Sequence, residues 1–524
     1  MKTEKLILNY QRRGIKLSVS DNKLHFSAPQ NILTDEDKDI LKKNKKEIIK
    51  FLLDHTESEI IVDEEDKYEK FPLTDIQLSY LVGQDNVYKF GGTNCKIYTE
   101  IEYEQIELNK AQYAWEQVIK YNDMLHAVIN QEGTQEILSS YTVPQIVFSD
   151  LSDMENAEVI IAQKRESLTK KQYRVGTWPL FDVEITKLKN KYILHISLDM
   201  LVADFVSINV ILNEFEEVYY NGKLSFKQQL SFRDIVLYKE SLKKTVNGKK
   251  KYEEDKKYWE KRIPRLSEVP EFPVVEQQEK EVLFTQYKFF LESDEYEKLC
   301  DLAKNFQLTP SSLILTAYAE ALRKISKNQS FCIDVTMVDR PPFHPSIDRV
   351  IGDFTTANIL EVEDLDYTNY FEKAKKIQHR LWEDLSHNSF SSKEVLREMG
   401  KRIKKEITVP AVYTSTLGAV KYSNQRKGKI LYTISQTPQV LIDCQVLELE
   451  KGVRLNWDVR LGVFPKGLIE EAFESFRELI YRIIDNNTLD ISLESILPKA
   501  VRKIRCITNN TRKEFETKYL HEGF

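Results

Sequence analysis

The sequence predicts an α/β protein of two lobes, preceded by a small module of helices packed on a hairpin. Three observations support this fold class. The 524-residue chain exceeds one ordinary hydrophobic core, helical and strand-like patterns alternate in both halves, and a charged, proline-containing stretch at 239–273 separates them. Because clefts between lobes commonly hold ligands, we expect a site at the lobe interface.

Residues 1–54 are predicted to form the small module. Helical spacing at 6–13 precedes two alternating runs, 15–19 and 23–27, joined by a turn at Asp21–Asn22. Thr34 then begins a second helix, with Asp37 placed for a capping box. So small a core is marginal, which is typical of docking modules, and a hairpin edge can accept a partner's strand. A stabilising extension is the alternative.

The remaining chain divides into an acidic linker, two lobes and a tail. We expect the linker at 55–70, the first lobe at 71–275, the second at 276–495, and at 496–524 a basic, polar tail that continues into a further domain. The predicted strands are 96–103, 192–198, 282–291 and 331–338, and the predicted helices are 111–120, 156–171, 207–219, 294–306 and 310–325.

Composition and motifs exclude several classes of function. The net charge of −6 and the mixing of basic runs with acidic residues argue against nucleic-acid binding. No signal-like start or long apolar window is present, so we expect no membrane span and a cytoplasmic location. The five cysteines are scattered, and no HExxH, phosphate-binding loop or convincing dinucleotide motif occurs. We therefore expect no metal and no cofactor bound by the chain itself.

The most informative segment is 195–207. Asp199 and Asp204 leave an apolar strand and lead into an amphipathic helix, with Ser207 three residues further on. Carboxylates at such a turn occur in active sites and also as plain helix caps, and this pattern alone favours the structural role. Arg340 is expected to pair with one of the two aspartates, which would make that aspartate structural.

A second set of polar residues interrupts apolar segments of the other lobe. Thr414 and Ser415 end the run that begins at Val409, and Asp443 is expected at the end of the run 435–443. Desolvation of a carboxylate in an apolar strand would raise its pKa towards neutrality and suit it to proton transfer. An aspartate hydrogen-bonded within a packed sheet, and an ordinary strand threonine, are the structural alternatives.

These segments together resemble the heterocyclization domain of nonribosomal peptide synthetases, a variant of the condensation domain. Asp199, Asp204 and Ser207 fit the DxxxxDxxS signature, which replaces the HHxxxDG of ordinary condensation domains. Further motifs match in the same order, and the similarity covers residues 71–495; the matching segments are 71–83, 352–358, 409–415, 435–443 and 457–458. Asn122–Asp123 and Gln84 depart from the family pattern. Residues 1–54 resemble a synthetase docking domain, and the tail resembles the start of an adenylation domain.

The resemblance implies a chloramphenicol-acetyltransferase-like fold, in which two lobes form a pseudo-dimer around a central tunnel. Upstream and downstream carrier domains would present thioesters on phosphopantetheine arms. The amine of a carrier-bound Cys, Ser or Thr would attack the upstream acyl or peptidyl thioester, and its side chain would then close a thiazoline or oxazoline with loss of water. The docking module would bind an upstream subunit, and an adenylation domain would follow in the full-length chain.

The resemblance also implies roles for individual residues. Asp443 is expected to handle protons in cyclodehydration, and Thr414 to position Asp443 or the intermediate. The expected substrate-binding residues are Asn358, Ser415 and Gln439, and the expected structural residues are Asp199, Asp204, Ser207 and Arg340, with Ser207 capping the helix.

Three other functions remain as alternatives at this point. The chain could be an amide-forming condensation domain without cyclization, a non-catalytic platform that recruits carriers, or, by analogy of fold alone, a stand-alone acyltransferase that uses coenzyme A. The absent HHxxxDG argues against the first, and the docking-like module argues against the third.

Overall fold

The computed structural model describes residues 65–485 except 86, 227–229, 276–281, 341–343, 345, 365–368, 419–425 and 450. Before residue 65 it describes residues 6, 10, 15–20, 23–27, 35–54 and 62. Most of the predicted first helix, the turn Asp21–Asn22, Thr34, most of the acidic linker and the tail lie outside the described residues.

The N-terminal module contains the predicted hairpin, β1 (Lys16–Ser20) and β2 (Lys23–Ser27), paired antiparallel. The second predicted helix is two helices, α1 (Asp35–Lys43) and α2 (Lys45–Asp54). Asn44 lies at the break, and its side-chain Nδ2 donates to the Ile40 carbonyl at 2.8 Å. The backbone hydrogen bonds from Asn44 N–H to Ile40 and from Ile48 N–H to Asn44 are kept, at 3.0 and 2.9 Å, so the two helices follow each other with only a local irregularity.

The two lobes follow from residue 71. In chain order their elements are β3 (Phe71–Pro72), α3 (Asp75–Gly83), β4 (Lys96–Tyr103), α4 (Leu108–Tyr121), β5 (Ala127–Ile129), β6 (Thr134–Ile137), β7 (Val147–Asp150), α5 (Ala157–Lys170), β8 (Phe181–Lys187), β9 (Tyr192–Asp199), α6 (Phe205–Asn221), α7 (Phe232–Lys244), α8 (Val246–Arg262), β10 (Phe284–Glu292), α9 (Ser293–Asn305), α10 (Pro310–Ile325), β11 (Phe331–Val338), β12 (Thr355–Val362), α11 (Tyr370–Leu385), α12 (Ser392–Ile403), β13 (Ala411–Ser415), β14 (Lys429–Gln436), β15 (Ile442–Leu449), β16 (Gly452–Arg460) and α13 (Leu468–Asp485).

Each lobe is built on a mixed sheet. The N-terminal lobe has the strand order β14-β4-β9-β8-β7 and a small sheet β3-β6-β5, and the C-terminal lobe has the order β10-β16-β15-β13-β11-β12. Strand β14 comes from the second half of the chain but pairs antiparallel with β4 of the first lobe. The second half of the chain therefore supplies one strand to the sheet of the first lobe, here called the exchanged strand, and a simple division at 275/276 does not describe this crossing.

One face of the C-terminal sheet packs on helices. Trp457 of β16 lies with its ring centroid 5.4 Å from that of Tyr318 on α10 and 5.5 Å from that of Phe476 on α13. Because side chains alternate along a strand, the neighbours of Trp457 in β16 point to the other face. That other face is where the polar residues of the sheet collect.

The predicted elements compare closely with the structure where the pattern is long. The strands 96–103 and 331–338 and the helix 310–325 have the predicted bounds. Asp443 lies inside an apolar strand between Ile442 and Cys444, as predicted, and it is the second residue of β15. The preceding residues 437–441 form the turn between β14 and β15.

Candidate active site at the lobe interface

The candidate site lies on the polar face of the C-terminal sheet. In the strand register, Thr414 of β13 pairs with Gln445 of β15, and Asp443 pairs with Asp458 of β16. Residues paired across neighbouring strands point to the same face, and residues two apart on one strand share it. The fold thus brings Thr414 and Asp443 together on one surface, as the sequence predicted.

Asp443 accepts hydrogen bonds from uncharged donors only, among the contacts that the structure describes. Thr414 Oγ1 donates to its Oδ1 at 3.2 Å, and Gln445 Nε2 and Ser435 Oγ lie 2.8 and 3.3 Å from its Oδ2. Burial and the nearby charge of Asp458 raise the pKa of Asp443 to about 7, and the three hydrogen bonds lower it by less. A carboxyl group with this pKa can both give and take a proton near neutral pH.

Thr414 is one member of a short hydroxyl chain. Thr336 Oγ1 of β11 donates to Thr414 Oγ1 at 2.8 Å, and Thr414 passes its own proton towards Asp443. These two hydrogen bonds fix the direction of the Thr414 hydroxyl and hence the orientation of the Asp443 carboxyl. Sequence reasoning missed Thr336, although the alternation of polar residues at 334 and 336 in β11 was a usable signal.

Ser435 ties the exchanged strand to this surface. Its backbone N–H donates to Asp458 Oδ2 at 2.8 Å, and its hydroxyl proton is shared between Asp458 Oδ2 at 3.0 Å and Asp443 Oδ2 at 3.3 Å. Gln286 and Asn456 donate to Asp458 Oδ1 at 2.8 and 3.1 Å. Burial raises the pKa of Asp458 as well. Asp458 accepts more hydrogen bonds than Asp443 does, and through those from Ser435 it anchors the end of β14 beside Asp443.

The three predicted substrate-binding residues do not share this face. Asn358 pairs with Val335, and Ser415 pairs with Val446; both partners belong to the helix-covered core. Within the described part of the chain, no partner reaches the buried Asn358 Nδ2. Gln439 lies in the β14–β15 turn with φ of 67°, and its N–H donates to the Phe90 carbonyl at 2.8 Å. Their binding role stays a prediction.

Asp199 lies at the end of β9, buried beside Lys96 of β4, its register partner. Its Oδ1 accepts from the Leu201 N–H at 2.9 Å. Burial raises the pKa of Asp199 to about 7 and lowers that of Lys96 to about 7, while each charge favours the other. The described contacts of Asp199 are with its own lobe.

Asp204 joins the two lobes. It is the N-cap of α6 and accepts from the Ser207 N–H and hydroxyl, each at 2.7 Å. The prediction that Ser207 caps the helix is therefore wrong: Asp204 is the cap, because only the residue before the first turn can reach the free N–H groups. The one proton of the Ser207 hydroxyl is shared between Asp204 Oδ1 and the Gly352 carbonyl of the other lobe, 2.9 Å away, and the hydroxyl accepts from the Gly352 N–H at 3.1 Å.

Arg340 completes this contact, as the sequence predicted. Its Nη2 donates to Asp204 Oδ1 and Oδ2 at 2.9 and 3.1 Å, and its Nη1 donates to the Val350 carbonyl at 2.7 Å. Its guanidinium also lies 4.1 Å from the ring centroid of Phe354. At Gly352, a Cβ atom would lie 2.2 Å from the Phe232 ring, so the close approach of the lobes requires glycine.

Two kinds of site are absent from the described residues. No group of three or more His, Cys, Asp or Glu side chains there could hold a metal ion. No helix among them is long and apolar enough to cross a membrane.

The two mixed α/β lobes, with a strand from the second half of the chain in the sheet of the first lobe, have the two-lobed fold of condensation-type acyltransferases. The chain belongs to the condensation domain family, which it matches over residues 67–503. Residues 4–54 match the TubC N-terminal docking domain. The predicted resemblance, a docking domain followed by a heterocyclization-type condensation domain, is confirmed by these matches and by the relatives below.

Among solved structures, the cyclization-docking bidomain of EpoB from Sorangium cellulosum superimposes with a TM-score of 0.76 at 26% identity, covering 92% of this chain and 97% of that one. Pyochelin synthetase PchF of Pseudomonas aeruginosa is 27% identical over 92% of this chain, and phenyloxazoline synthase MbtB of Mycobacterium tuberculosis is 27% identical over 87%. The chain spans 27% of PchF and 33% of MbtB.

Proposed function

We propose that this chain is a heterocyclization domain that forms an amide between two carrier-bound substrates and then closes the product to an azoline ring. The observation that carries the proposal is the hydroxyl–carboxyl pair of Thr414 and Asp443 at the lobe interface. The similarity to the EpoB cyclization-docking bidomain and to a phenyloxazoline synthase supports it.

The chemistry of ring closure explains why such a pair is needed. After the amine of a carrier-bound Cys, Ser or Thr has attacked the upstream thioester, its side chain must add to a weakly electrophilic amide carbonyl. The carbonyl oxygen then leaves as water, so a group must protonate it. The carboxyl of Asp443 can supply that proton because its pKa is raised to about 7 by burial and by Asp458.

The surrounding residues have supporting roles in this proposal. Thr414 orients the Asp443 carboxyl. A substrate-binding role is proposed for Gln439 in the β14–β15 turn, and for Ser415 and Asn358, which lie in the strand register on the sheet face opposite Asp443. Asp204, Ser207 and Arg340 hold the lobes together through a buried ion pair. Asp199 supports the same interface from the N-terminal lobe, as a buried partner of Lys96.

The partners follow from the domain order. Condensation domains of peptide synthetases act on substrates held by carrier-bound phosphopantetheine, and a docking domain implies an upstream subunit. We propose that residues 1–54 bind that subunit, that the lobes span 71–275 and 276–495, and that an adenylation domain follows the tail at 496–524. The phosphopantetheine arms arrive with the partner carriers.

Intact-protein mass spectrometry tests the proposal. An upstream carrier loaded with a model acyl group and a downstream carrier loaded with cysteine are mixed with the 524-residue protein. We expect a downstream product that is lighter than the linear amide by one water. Linear amide alone would make the protein an amide-forming condensation domain, and carrier binding without any product would make it a recruiting platform.

A further inference from the structure

Asp334 of β11 lies on the same sheet face as Asp443. The register pairs Asp334 with Val412, and Val412 with Asp443, so the two aspartates stand in one row with a single valine between them. Neighbouring strands are about 4.8 Å apart, which puts the two Cα atoms about 10 Å apart. Two carboxyl groups thus flank a small apolar patch.

The surroundings of Asp334 place it at the lobe interface. Its side chain is half-buried, and within the described part of the chain no hydrogen-bond partner reaches its Oδ1. Burial raises the pKa of the Tyr80 phenol on α3 of the opposite lobe, and the charge of Asp334 makes the smallest addition to that rise. Strand β12, which pairs with β11, contacts α3, so Asp334 lies near the first lobe.

Protonation is easy at this position. Burial and, to a much smaller extent, the charge of Asp443 raise the pKa of Asp334 to about 7, against the lowering effect of the backbone N–H groups of Asn358 and Val335. Two interacting carboxyl groups that both resist ionisation favour a state in which one holds a proton and the other does not. That state pairs an acid with a base.

Two hydroxyl groups occupy the next row on the same face, where Thr336 pairs with Thr414. Thr336, two residues after Asp334 and on the same face, donates to Thr414, which donates to Asp443. The two hydroxyls line the side of the patch between the aspartates. Their hydrogen bonds lead to Asp443, and among the described contacts none extends to Asp334.

We propose that Asp334 is a second proton-transferring residue of the cyclodehydration, acting on the substrate from the side opposite Asp443. This inference rests on the proposed function. It assigns the base to Asp334 and leaves the acid to Asp443, so that a ring lying over Val412 meets one carboxyl group at each edge.

The proton balance of ring closure fits this assignment. In cyclization the Asp334 carboxylate takes the proton of the substrate thiol or hydroxyl, the sulfur–carbon or oxygen–carbon bond forms, and the Asp443 carboxyl protonates the carbonyl oxygen. A proton then returns from Asp334 to Asp443. In dehydration Asp443 protonates the ring hydroxyl, the carbon–oxygen bond breaks, water leaves, the nitrogen lone pair forms the C=N bond, and Asp334 takes the N–H proton.

If only one carboxyl group took part, it would have to act at both edges of the ring in turn. The nucleophile and the nitrogen are ring atoms, whereas the departing oxygen projects from the ring, so the proton to be removed and the oxygen to be protonated lie in different directions. A positioned base or acid contributes about 10²–10⁴-fold to a proton-transfer step. Loss of either carboxyl group should therefore lower the rates of cyclization and dehydration.

The test is a single-turnover assay that follows amide and azoline separately by intact mass. The Asp334→Asn variant keeps the side-chain shape, so we expect amide formation within about twofold of wild type and azoline formation at least about 10²-fold slower. The Asp334→Glu variant retains a carboxyl group and should recover part of that loss. Asp301→Asn, an exposed position on α9, is the matched control and should behave as wild type.

Several results would overturn the inference. Azoline formation at the wild-type rate in Asp334→Asn would show that the carboxyl is not used, and equal losses of amide and azoline would assign Asp334 to substrate binding. If the Asn variant fails to fold, Asp334→Glu decides. Amide formation near the wild-type rate together with azoline formation slowed by about 10²-fold or more, although a carboxyl group is still present, rejects the base role. Wild-type protein that yields only linear amide refutes the proposed function itself, a separate outcome.

Discussion

Asp204 and Asp443 are both buried aspartates near the lobe interface, but they are held differently. Asp204 accepts from the guanidinium of Arg340 and from the N–H groups of Ser207 and Phe354. Asp443 accepts from Thr414, Gln445 and Ser435, all uncharged, and has a second carboxyl beside it. A cationic donor thus holds Asp204 in an ion pair, whereas the uncharged donors around Asp443 are consistent with the proton-transfer role proposed above.

The largest expected effect on azoline formation comes from replacing Asp443, the proposed acid. Asp443→Asn keeps the shape but removes the acid, so we expect azoline formation to fall about 10²–10⁴-fold while linear amide still forms. Intact-mass analysis of the loaded downstream carrier measures both products. Azoline formation at the wild-type rate in Asp443→Asn would show that Asp443 is not the acid and does not differ from Asp204 in this respect.

The ion-paired member should respond in stability instead. Arg340→Met leaves the buried Asp204 carboxylate without its counter-charge, which should cost about 3–5 kcal/mol of unfolding free energy. Urea unfolding measures this change. Arg477→Met, which breaks an exposed pair with Glu474, is the control and should cost at most about 1 kcal/mol. A similar small loss at Arg340 would show that Asp204 is not held as a fixed ion.

The pH dependence of ring closure sharpens the comparison further. Burial and Asp458 raise the pKa of Asp443 to about 7, so its acid form predominates below that pH and declines above it. We expect the rate from preformed linear amide to fall about tenfold per pH unit above about pH 7. Single-turnover measurements across this range check it, and a flat profile on the alkaline side would contradict the acid role.

The smallest expected effect concerns the orientation of Asp443. Thr414→Val removes one hydrogen bond to Asp443 and breaks the link from Thr336, a loss of about 1 kcal/mol or roughly fivefold in azoline formation. The same mass assay measures it beside Asp443→Asn. A loss as large as that of Asp443→Asn would instead make the Thr414 hydroxyl an obligatory proton carrier.

The sequence predicted the long elements better than their arrangement. The helix 310–325 has its predicted bounds because Thr309 caps it, Pro310 opens it, and apolar residues recur at helical spacing. Local pattern says nothing about which strands pair, so the crossing of β14 to the first lobe could not be predicted. The turn at 437–441, which divides the segment 435–443 between β14 and β15, was also not predicted.

The site was predicted in part. The pairing of Thr414 with Asp443 and that of Arg340 with a signature aspartate were expected, the first from the family resemblance and the second from charge. The faces of Asn358 and Ser415 depend on strand register, which requires knowledge of residues far away in the chain. The Asp334 carboxyl was missed because it joins the row only through the pairing of three strands.

The exchanged strand has a consequence for how the protein can be divided. A fragment that ends near residue 275 would lack β14 and leave β4 with an unpaired edge, the condition under which sheets join neighbouring molecules and aggregate. The complementary fragment would carry β14 without the strand that it pairs with. The two halves should therefore be soluble only when they are produced together, and reassembly of the split protein would report directly on the contact between β14 and β4.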